Sequence, residues 1–284
     1  MTPEIAYAVA AMVFYGLGDF IYKRAAAAGI RADHFLVVQA WIFCPLIILY
    51  ALVTHTLVLK PAGLWGSLAG VFVFIGFYNF IRSLATGSVS TNAAIFRLNF
   101  VVTAVLAIGF LGEPLTVSKV AGLVLALFAT WLLLGAHDPN APARDAARRS
   151  LILVLLATLA FGAATFFHTV GLRQGASPET LVAGQAVLFM PLAMVFLYLV
   201  EGKIRPAPAT WPYAATAAVL LLIAFLFLLS ALTHGQASVL VPIAQMGFVV
   251  TATFGIVFLK EPFNLRKAAG LVAALAALAV LAAS

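Results

Sequence analysis

One stretch of this sequence occurs twice, as GSVSTNAAIFRLNFVVTAVLAIGFLGEPLTVSKVAG at residues 87–122 and as GQASVLVPIAQMGFVVTATFGIVFLKEPFNLRKAAG at residues 235–270. The two copies lie 148 positions apart and share the run FVVTA, a Glu-Pro pair and a glycine at each end. A shift of 146 positions extends the match towards the start of the chain, through the pairs Gly16/Gly162, Gln39/Gln185, Phe43/Phe189 and Pro45/Pro191. The chain is therefore predicted to be two copies of one structural unit.

The composition indicates a membrane protein. Of 284 residues, 64% are hydrophobic and only 9% are charged, whereas an ordinary soluble domain has about 25% charged residues. A soluble enzyme of this size would have too few ionisable groups for its surface, so that class is excluded. The single cysteine, Cys44, cannot form an internal disulfide or a Cys-based zinc site. We expect no cofactor and no metal.

Apolar runs long enough to cross a bilayer, about 20 residues each, divide the chain into ten predicted spans. They are residues 5–22, 35–53, 64–84, 89–111, 118–135, 151–170, 180–200, 212–232, 237–259 and 267–283. The predicted fold class is an all-α integral membrane protein with two five-helix repeats. The repeats cover residues 1–135 and 151–284, joined by a linker at 136–150.

The distribution of basic residues predicts the orientation of the chain in the membrane. Three basic residues, Lys60, Lys119 and Arg173, fall in loops on one side. Twelve fall on the other side: Lys23, Arg24, Arg31, Arg82, Arg144, Arg148, Arg149, Lys203, Arg205, Lys260, Arg266 and Lys267. This charge asymmetry also explains the net charge of +7 without nucleic acid as a partner. We expect a multi-pass protein of the inner membrane with a cytoplasmic linker and both termini outside.

The odd number of spans in each repeat predicts that the second copy enters the bilayer from the opposite face. The copies would then be related by a two-fold axis in the membrane plane, as in many secondary transporters, whose solute site lies near the midplane between the halves. The alternative is a duplicated scaffold with no role in transport. Inverted repeats favour transport, because two equivalent packings can exchange and so give alternating access.

The repeated stretch resembles the paired EamA units of the ten-helix drug/metabolite transporters, with the Glu-Pro after the fourth and ninth spans as its most specific part. That superfamily includes exporters of amino acids and other small metabolites, among them exporters of the YddG type. The resemblance implies that helices 1, 3, 4, 6, 8 and 9 surround a central cavity and that helices 5 and 10 are peripheral. It leaves the solute open, and also the orientation, since some members have their termini in the cytoplasm.

Arg97 is the first candidate for substrate binding. It lies eight positions into the fourth span, about 12 Å deep at 1.5 Å per residue, and a charge within the hydrocarbon region costs at least about 2.5 kcal/mol. Its planar guanidinium suits a carboxylate or a phosphate. The alternative is a structural ion pair with Asp19, the one acidic residue within a span. Both interpretations of Arg97 hold if a solute displaces the Asp19 carboxylate.

Residues in three other spans extend this candidate site. Gln245 occupies the position equivalent to Arg97, and Pro242 three residues earlier predicts a kink or hinge. Tyr15 and Tyr22 share a helical face with Asp19, which is also a candidate proton carrier. His168, within the sixth span near its outer end, is a candidate solute contact, although a structural hydrogen bond is the more common role for a lone histidine.

The third and eighth spans supply the candidate aromatic contacts. Tyr78, with Asn79 beside it, is favoured because its hydroxyl needs a partner in hydrocarbon. Phe225 lies at the related place in the eighth span. Gln39 and Gln185 are interpreted as interhelical ties, as are Asn92 and Asn99 in the fourth span.

Two sets of residues are predicted to serve structure. Glu113 and Glu261 are interpreted as turn and capping residues beside their own helices. Small residues repeated four positions apart in the tenth span are a candidate homodimer contact: Gly270, Ala273, Ala274 and Ala277.

These features predict a secondary transporter for amino acids or related carboxylates, and the resemblance implies that it works as an exporter. An enzyme is not expected, because the spans lack the motifs of intramembrane hydrolysis and no GxxxxGK[ST] is present. A flippase for lipid or lipid phosphate stays open, since Arg97 also suits a phosphate, and so does export of cationic drugs or other metabolites.

Overall fold

The computed structural model describes residues 2–58, 60–86, 92, 95–134, 144–247, 249–250, 253–254 and 265–283. Within these residues the chain forms ten α-helices and two short 3-10 turns. The helices are α1 (Pro3–Ala27), α2 (Ala32–Val53), α3 (Leu64–Thr86), α4 (Asn99–Leu111), α5 (Val117–Leu134), α6 (Arg144–Arg173), α7 (Pro178–Glu201), α8 (Trp211–His234), α9 (Ala237–Gln245) and α10 (Leu265–Ala282). Every predicted span contains one of these helices.

The helix ends follow local sequence signals. Ser177 caps α7, with its hydroxyl accepting a hydrogen bond from the Thr180 amide at 3.1 Å, and Pro178 begins the helix. Gly202 follows the last residue of α7, and Gly112 follows the last residue of α4. Both glycines have the left-handed conformation, at φ of 68° and 67°, which ends the helices. The helix α6 begins at Arg144, within the predicted linker at 136–150. The last residues of that linker are therefore helical. Residues 135–143 lie outside the described part of the chain.

The helices carry the composition of membrane spans. Six are long and apolar enough to cross a bilayer, and three shorter apolar helices cover Ile95–Leu111, Val117–Leu132 and Ala268–Leu281. Large apolar side chains face outward, including Phe110 and Leu199, which are 77% and 74% exposed. So much exposed apolar surface is unfavourable in water and natural against lipid. The protein is a multi-pass membrane protein, and the rest of the predicted ninth span lies mainly beyond the described residues.

Two helices are interrupted at equivalent positions. The residues before α4, 95–97, are helical, and the helix breaks at Leu98, whose amide donates to the Ile95 carbonyl at 3.0 Å. In the second copy, α9 ends at Gln245, and the Met246 amide donates to the Ile243 carbonyl at 3.2 Å. Since Leu98 and Met246 are repeat equivalents, the break belongs to the duplicated unit.

The packing of the helices has two-fold symmetry. The main contacts between the repeats persist when every helix is exchanged for its equivalent in the other copy: α3–α6 with α1–α8, α3–α7 with α2–α8, and α4–α6 with α1–α9. Three equivalent pairs pack on each other directly, namely α2–α7, α4–α9 and α5–α10. Helices α5 and α10 contact mainly one another, which agrees with the peripheral position that the resemblance implied.

Hydrogen bonds at both ends of α2 and α7 show their relative direction. Just after α2 ends, the Val58 amide donates to the Thr180 hydroxyl at the start of α7, at 2.9 Å. Just before α2 begins, the Arg31 guanidinium pairs with Glu201 at the end of α7, at 2.7 Å. The two equivalent helices are therefore antiparallel, so these elements of the two copies run in opposite directions.

Close helix crossings depend on glycine. A Cβ on Gly16 of α1 would lie 2.5 Å from the Gly247 carbonyl oxygen and from Val250 Cβ. A Cβ on the equivalent Gly162 of α6 would lie 2.5 Å from Val102 Cβ. Both contacts fall just beyond the helix breaks, so glycine brings α1 and α6 against the interrupted helices.

Candidate functional site

Arg97 and Gln245 meet at the interface of the two repeats. Arg97 Nη1 donates to Gln245 Oε1 at 3.1 Å, and the two residues occupy equivalent positions, each directly before a helix break. Two equivalent residues in direct contact must lie beside the two-fold axis. The duplication therefore places the candidate binding residues at the centre of the bundle.

Asp19 of α1 completes this group through an ion pair with Arg97. The Arg97 side chain is 11% exposed and that of Asp19 is 29% exposed. An ion pair in such an environment is a poor source of stability, because removing both charges from water offsets much of their attraction. The Asp19 carboxylate also shows that the guanidinium is accessible to a carboxylate from the α1 side.

The helix breaks are not caused by proline. Pro242 was predicted to kink the ninth span, yet α9 continues to Gln245, and the first copy breaks at the same place with alanine at the equivalent position 94. The side chain of Asn99 instead donates to the Phe96 carbonyl at 2.8 Å, across the break. This bond satisfies a carbonyl that the interruption frees, so Asn99 stabilises the break rather than tying the helix to a neighbour. Asn92 does tie helices together, through Ser83 and Ser150.

A small central cavity lies between α2, α3, α7 and α8. Four equivalent pairs line it: Gln39/Gln185, Phe43/Phe189, Val73/Leu221 and Phe77/Phe225. This wall of four phenylalanines and two glutamines is symmetric in composition. Helices 2 and 7, which the resemblance did not place around the cavity, contribute half of the lining.

The two glutamines differ in their hydrogen bonds. The Tyr22 hydroxyl of α1 donates to Gln39 Oε1, so the predicted tie between helices exists in the first copy. Gln185 is 2% exposed, and its Oε1 has no hydrogen-bond partner among the described residues. Gln185 is thus not tied through that oxygen, although the sequence predicted the same role for both glutamines.

Phe225 lies at the meeting point of three other rings. Its centroid is 5.9 Å from that of Tyr15, 6.0 Å from Phe43 and 6.2 Å from His168, each in an edge-on arrangement. Tyr15 and His168 are 4% and 1% exposed. The structure therefore brings three of the predicted site residues, Tyr15, His168 and Phe225, into one cluster beside the cavity.

Tyr78 and Asn79 are placed elsewhere by their contacts. The Tyr78 hydroxyl accepts a hydrogen bond from Arg82 at 2.8 Å, and its ring packs edge-on against Phe196 of α7 at 4.5 Å. Asn79 donates to the Ile75 carbonyl of its own helix at 2.8 Å. The neighbouring Phe77 lines the cavity instead. Sequence reasoning missed it, because adjacent aromatic residues give no sign of which one points inward.

Glu113 caps a helix of the other repeat. Its buried carboxylate accepts hydrogen bonds from the amides of Ala237 and Ser238 at the start of α9, both at 2.9 Å, and from the Ser238 hydroxyl. Arg173 pairs with the same carboxylate at 2.9 Å. The predicted capping role of Glu113 is confirmed, and the helix that it caps belongs to the other repeat. The equivalent Glu261 lies outside the described residues.

The one grouping of metal-type ligands in the described chain is Asp33, His34 and Glu201. His34 Nε2 lies 2.9 Å from Glu201 Oε1, and His34 Nδ1 accepts from the Ala207 amide at 2.9 Å. Both ring nitrogens are thus already in hydrogen bonds. This group joins α2 to the end of α7 and the following loop, and it does not favour a metal.

Comparisons with known proteins agree with this architecture. An uncharacterised protein of Methanocaldococcus jannaschii is 30% identical over 123 residues, which make up 43% of this chain and 88% of the relative. A solved crystal structure of another protein matches with a TM-score of 0.82 over 98% of this chain and 95% of that one, at 16% identity, which shows a shared fold. The family model for EamA-like transporters matches residues 2–135 and 148–283. The chain therefore belongs to the EamA-like transporter family.

Proposed function

We propose that this protein is a secondary transporter that exports small metabolites, with amino acids and related carboxylates as its solutes. Membership of a transporter family and the antiparallel arrangement of equivalent helices support this function. In this proposal the chain crosses the inner membrane ten times, with the 136–150 linker in the cytoplasm and both termini outside.

The contact of Arg97 with Gln245 across the two repeats carries the proposal. A guanidinium binds a carboxylate through parallel N–H donors, and Asp19 already supplies one such carboxylate to Arg97. A solute carboxylate can replace that of Asp19 without leaving the arginine unpaired. When one carboxylate replaces the other, Arg97 keeps a partner throughout. Removal of its partner alone would leave an isolated buried charge, which is unfavourable.

The repeated helix breaks supply a route to alternating access. Leu98 and Met246 interrupt the helices that carry Arg97 and Gln245, and interrupted helices bend at lower cost than continuous ones. Rocking of one repeat against the other about these points would expose the central group to each side in turn. Once displaced, Asp19 becomes available to bind a proton, which would couple export to the proton gradient.

Transport by reconstituted protein tests the proposal. Purified full-length protein in proteoliposomes is expected to exchange labelled amino acids or hydroxy acids, and Arg97→Gln is expected to abolish this exchange. Arg205→Gln, at an exposed position in the segment after α7, is the matched control and should exchange at the wild-type rate.

Two results would contradict the proposal. The first is wild-type exchange by Arg97→Gln with an unchanged half-saturating concentration. The second is movement of fluorescent phospholipid, and of no carboxylate in the panel, by the wild-type protein, which would identify a flippase instead.

A further inference from the structure

The repeat symmetry reveals an unequal pair of polar contacts beside the cavity. A shift of 146 positions aligns Tyr22 with His168 and Gln39 with Gln185. In the first copy, the Tyr22 hydroxyl donates to Gln39 Oε1. In the second copy, the atoms that would form the equivalent bond, His168 Nε2 and Gln185 Oε1, have no partner among the residues that the structure describes.

Burial makes these unpartnered atoms significant. His168 and Gln185 are 1% and 2% exposed, and Tyr15, whose hydroxyl is also unpartnered in the described structure, is 4% exposed. A buried polar atom without a hydrogen bond is unfavourable, and such atoms need a specific explanation. Three of them close to one phenylalanine, Phe225, are more than an isolated packing defect.

We propose that Tyr15, His168 and Gln185 form a second solute subsite, which binds an uncharged hydrogen-bonding group such as a hydroxyl or a primary amide. The inference rests on the proposed function, because Arg97 would hold the carboxylate of the same solute. Phe225, which contacts the rings of Tyr15 and His168, would pack against the apolar part of the solute. The transported class is then carboxylates that carry a neutral polar substituent, in preference to carboxylates with a purely apolar one.

The chemistry of the three side chains fits a neutral group. Gln185 Oε1 accepts a hydrogen bond, a tyrosine hydroxyl donates or accepts one, and a neutral imidazole nitrogen does either according to its tautomer. No carboxylate is among them to attract a cation, and four phenylalanines line the adjoining cavity. A hydroxyl or an amide can satisfy both a donor and an acceptor here, whereas an alkyl group satisfies neither.

Binding of isosteric solutes tests this subsite. Dissociation constants are measured by calorimetry on the full-length protein in nanodiscs, for L-threonine against L-valine and for L-asparagine against L-leucine. The polar member of each pair is expected to bind about tenfold more tightly or better, since one buried hydrogen bond left unmade costs about 1–3 kcal/mol, that is, about fivefold to 150-fold in affinity.

Variants separate this inference from the proposed function. Tyr15→Phe and Gln185→Met keep side-chain size and should bring the polar-to-apolar affinity ratio towards one. Tyr198→Phe, on the outward face of α7 where the side chain is 56% exposed, is the matched control and should keep the wild-type ratio. Arg97→Gln should weaken both members of a pair alike and leave the ratio unchanged.

The result that would contradict the subsite alone differs from the result that would also contradict the proposed function. A wild-type ratio near one, or a ratio unchanged in both Tyr15→Phe and Gln185→Met, overturns the subsite while Arg97-dependent binding still supports a carboxylate transporter. Failure of all four solutes to bind overturns the subsite together with the proposed function on which it rests.

Discussion

The Glu113 cap at one end of the bundle and the side chains around Phe225 near its centre hold polar groups in opposite ways. At one end, Glu113 accepts three hydrogen bonds from α9 and pairs with Arg173. At the centre, Tyr15, His168 and Gln185 each have a buried polar atom that is unpartnered within the described chain. Saturated contacts fix helices in place, whereas unsaturated ones retain the capacity to bind a ligand. We infer that the Glu113 cap serves stability and that the side chains around Phe225 serve recognition.

The largest expected effect is a complete loss of proton drive in Asp19→Asn. The amide keeps the size of the carboxylate but cannot carry a proton, so accumulation driven by a pH gradient should cease while solute exchange continues. Both rates are measured in the same proteoliposomes. Loss of exchange as well would show that the ion pair with Arg97 is needed for structure, and the centre would then resemble the ends.

Glu113→Ala is expected to cause the largest loss of stability, about 3 kcal/mol. The change leaves the Ala237 and Ser238 amides without their acceptor and removes the partner of Arg173. The apparent melting temperature in detergent should fall, while the solute affinity of the protein that stays folded is unchanged. Glu4→Ala, at a partly exposed position in the first turn of α1, is the control. A stable variant with altered solute preference would contradict the division between ends and centre.

Gly16→Ala is expected to lower the free energy of unfolding by about 1–3 kcal/mol, because Gly16 lies where α1 crosses the residues just after the break at Met246. The new Cβ would lie 2.5 Å from the Gly247 carbonyl oxygen, and backbone cannot move aside cheaply. Gly18→Ala on the same helix is the matched control, because its Cβ would lie 3.7 Å from the nearest atom, Leu221 Cδ2. Equal melting temperatures for the two variants would show that this crossing is not close-packed.

The smallest effect is expected from Ser177→Ala, which removes the N-cap of α7 and should cost about 1 kcal/mol. The Ser177 hydroxyl also donates to the Thr56 carbonyl at 2.8 Å, and so joins α7 to the loop after α2. A small fall in melting temperature with unchanged transport places this contact with the ends of the bundle. A change in transport rate larger than the change in stability would assign it to the moving parts.

Much of the fold was predictable because long apolar runs have few alternatives to helices. The prediction of residues 35–53 corresponds to α2 at Ala32–Val53, and that of 64–84 to α3 at Leu64–Thr86. The breaks at Leu98 and Met246 were missed, because each lies within one predicted span, 89–111 or 237–259, which was read as a single continuous helix. A comparison of the two copies could not reveal them either, since both copies carry the same break.

The candidate site was predictable only in part. The charge of Arg97 and the repeat alignment pointed to Asp19 and Gln245, which the structure brings together. The inward position of Phe77 and the cap from Glu113 to α9 depend on tertiary packing, which one sequence does not encode in a visible pattern. Equivalent residues also proved unequal, as Gln39 and Gln185 show.

The most direct measurement concerns the group that Arg97 binds. The affinity of an amino acid is compared with that of its primary amide, which has nearly the same shape but no negative charge, in wild-type protein and in Arg97→Gln. The account predicts that the wild-type protein binds the carboxylate at least about tenfold more tightly, a difference of about 1.4 kcal/mol, and that Arg97→Gln binds both equally. A carboxylate preference that survives in Arg97→Gln would contradict the account.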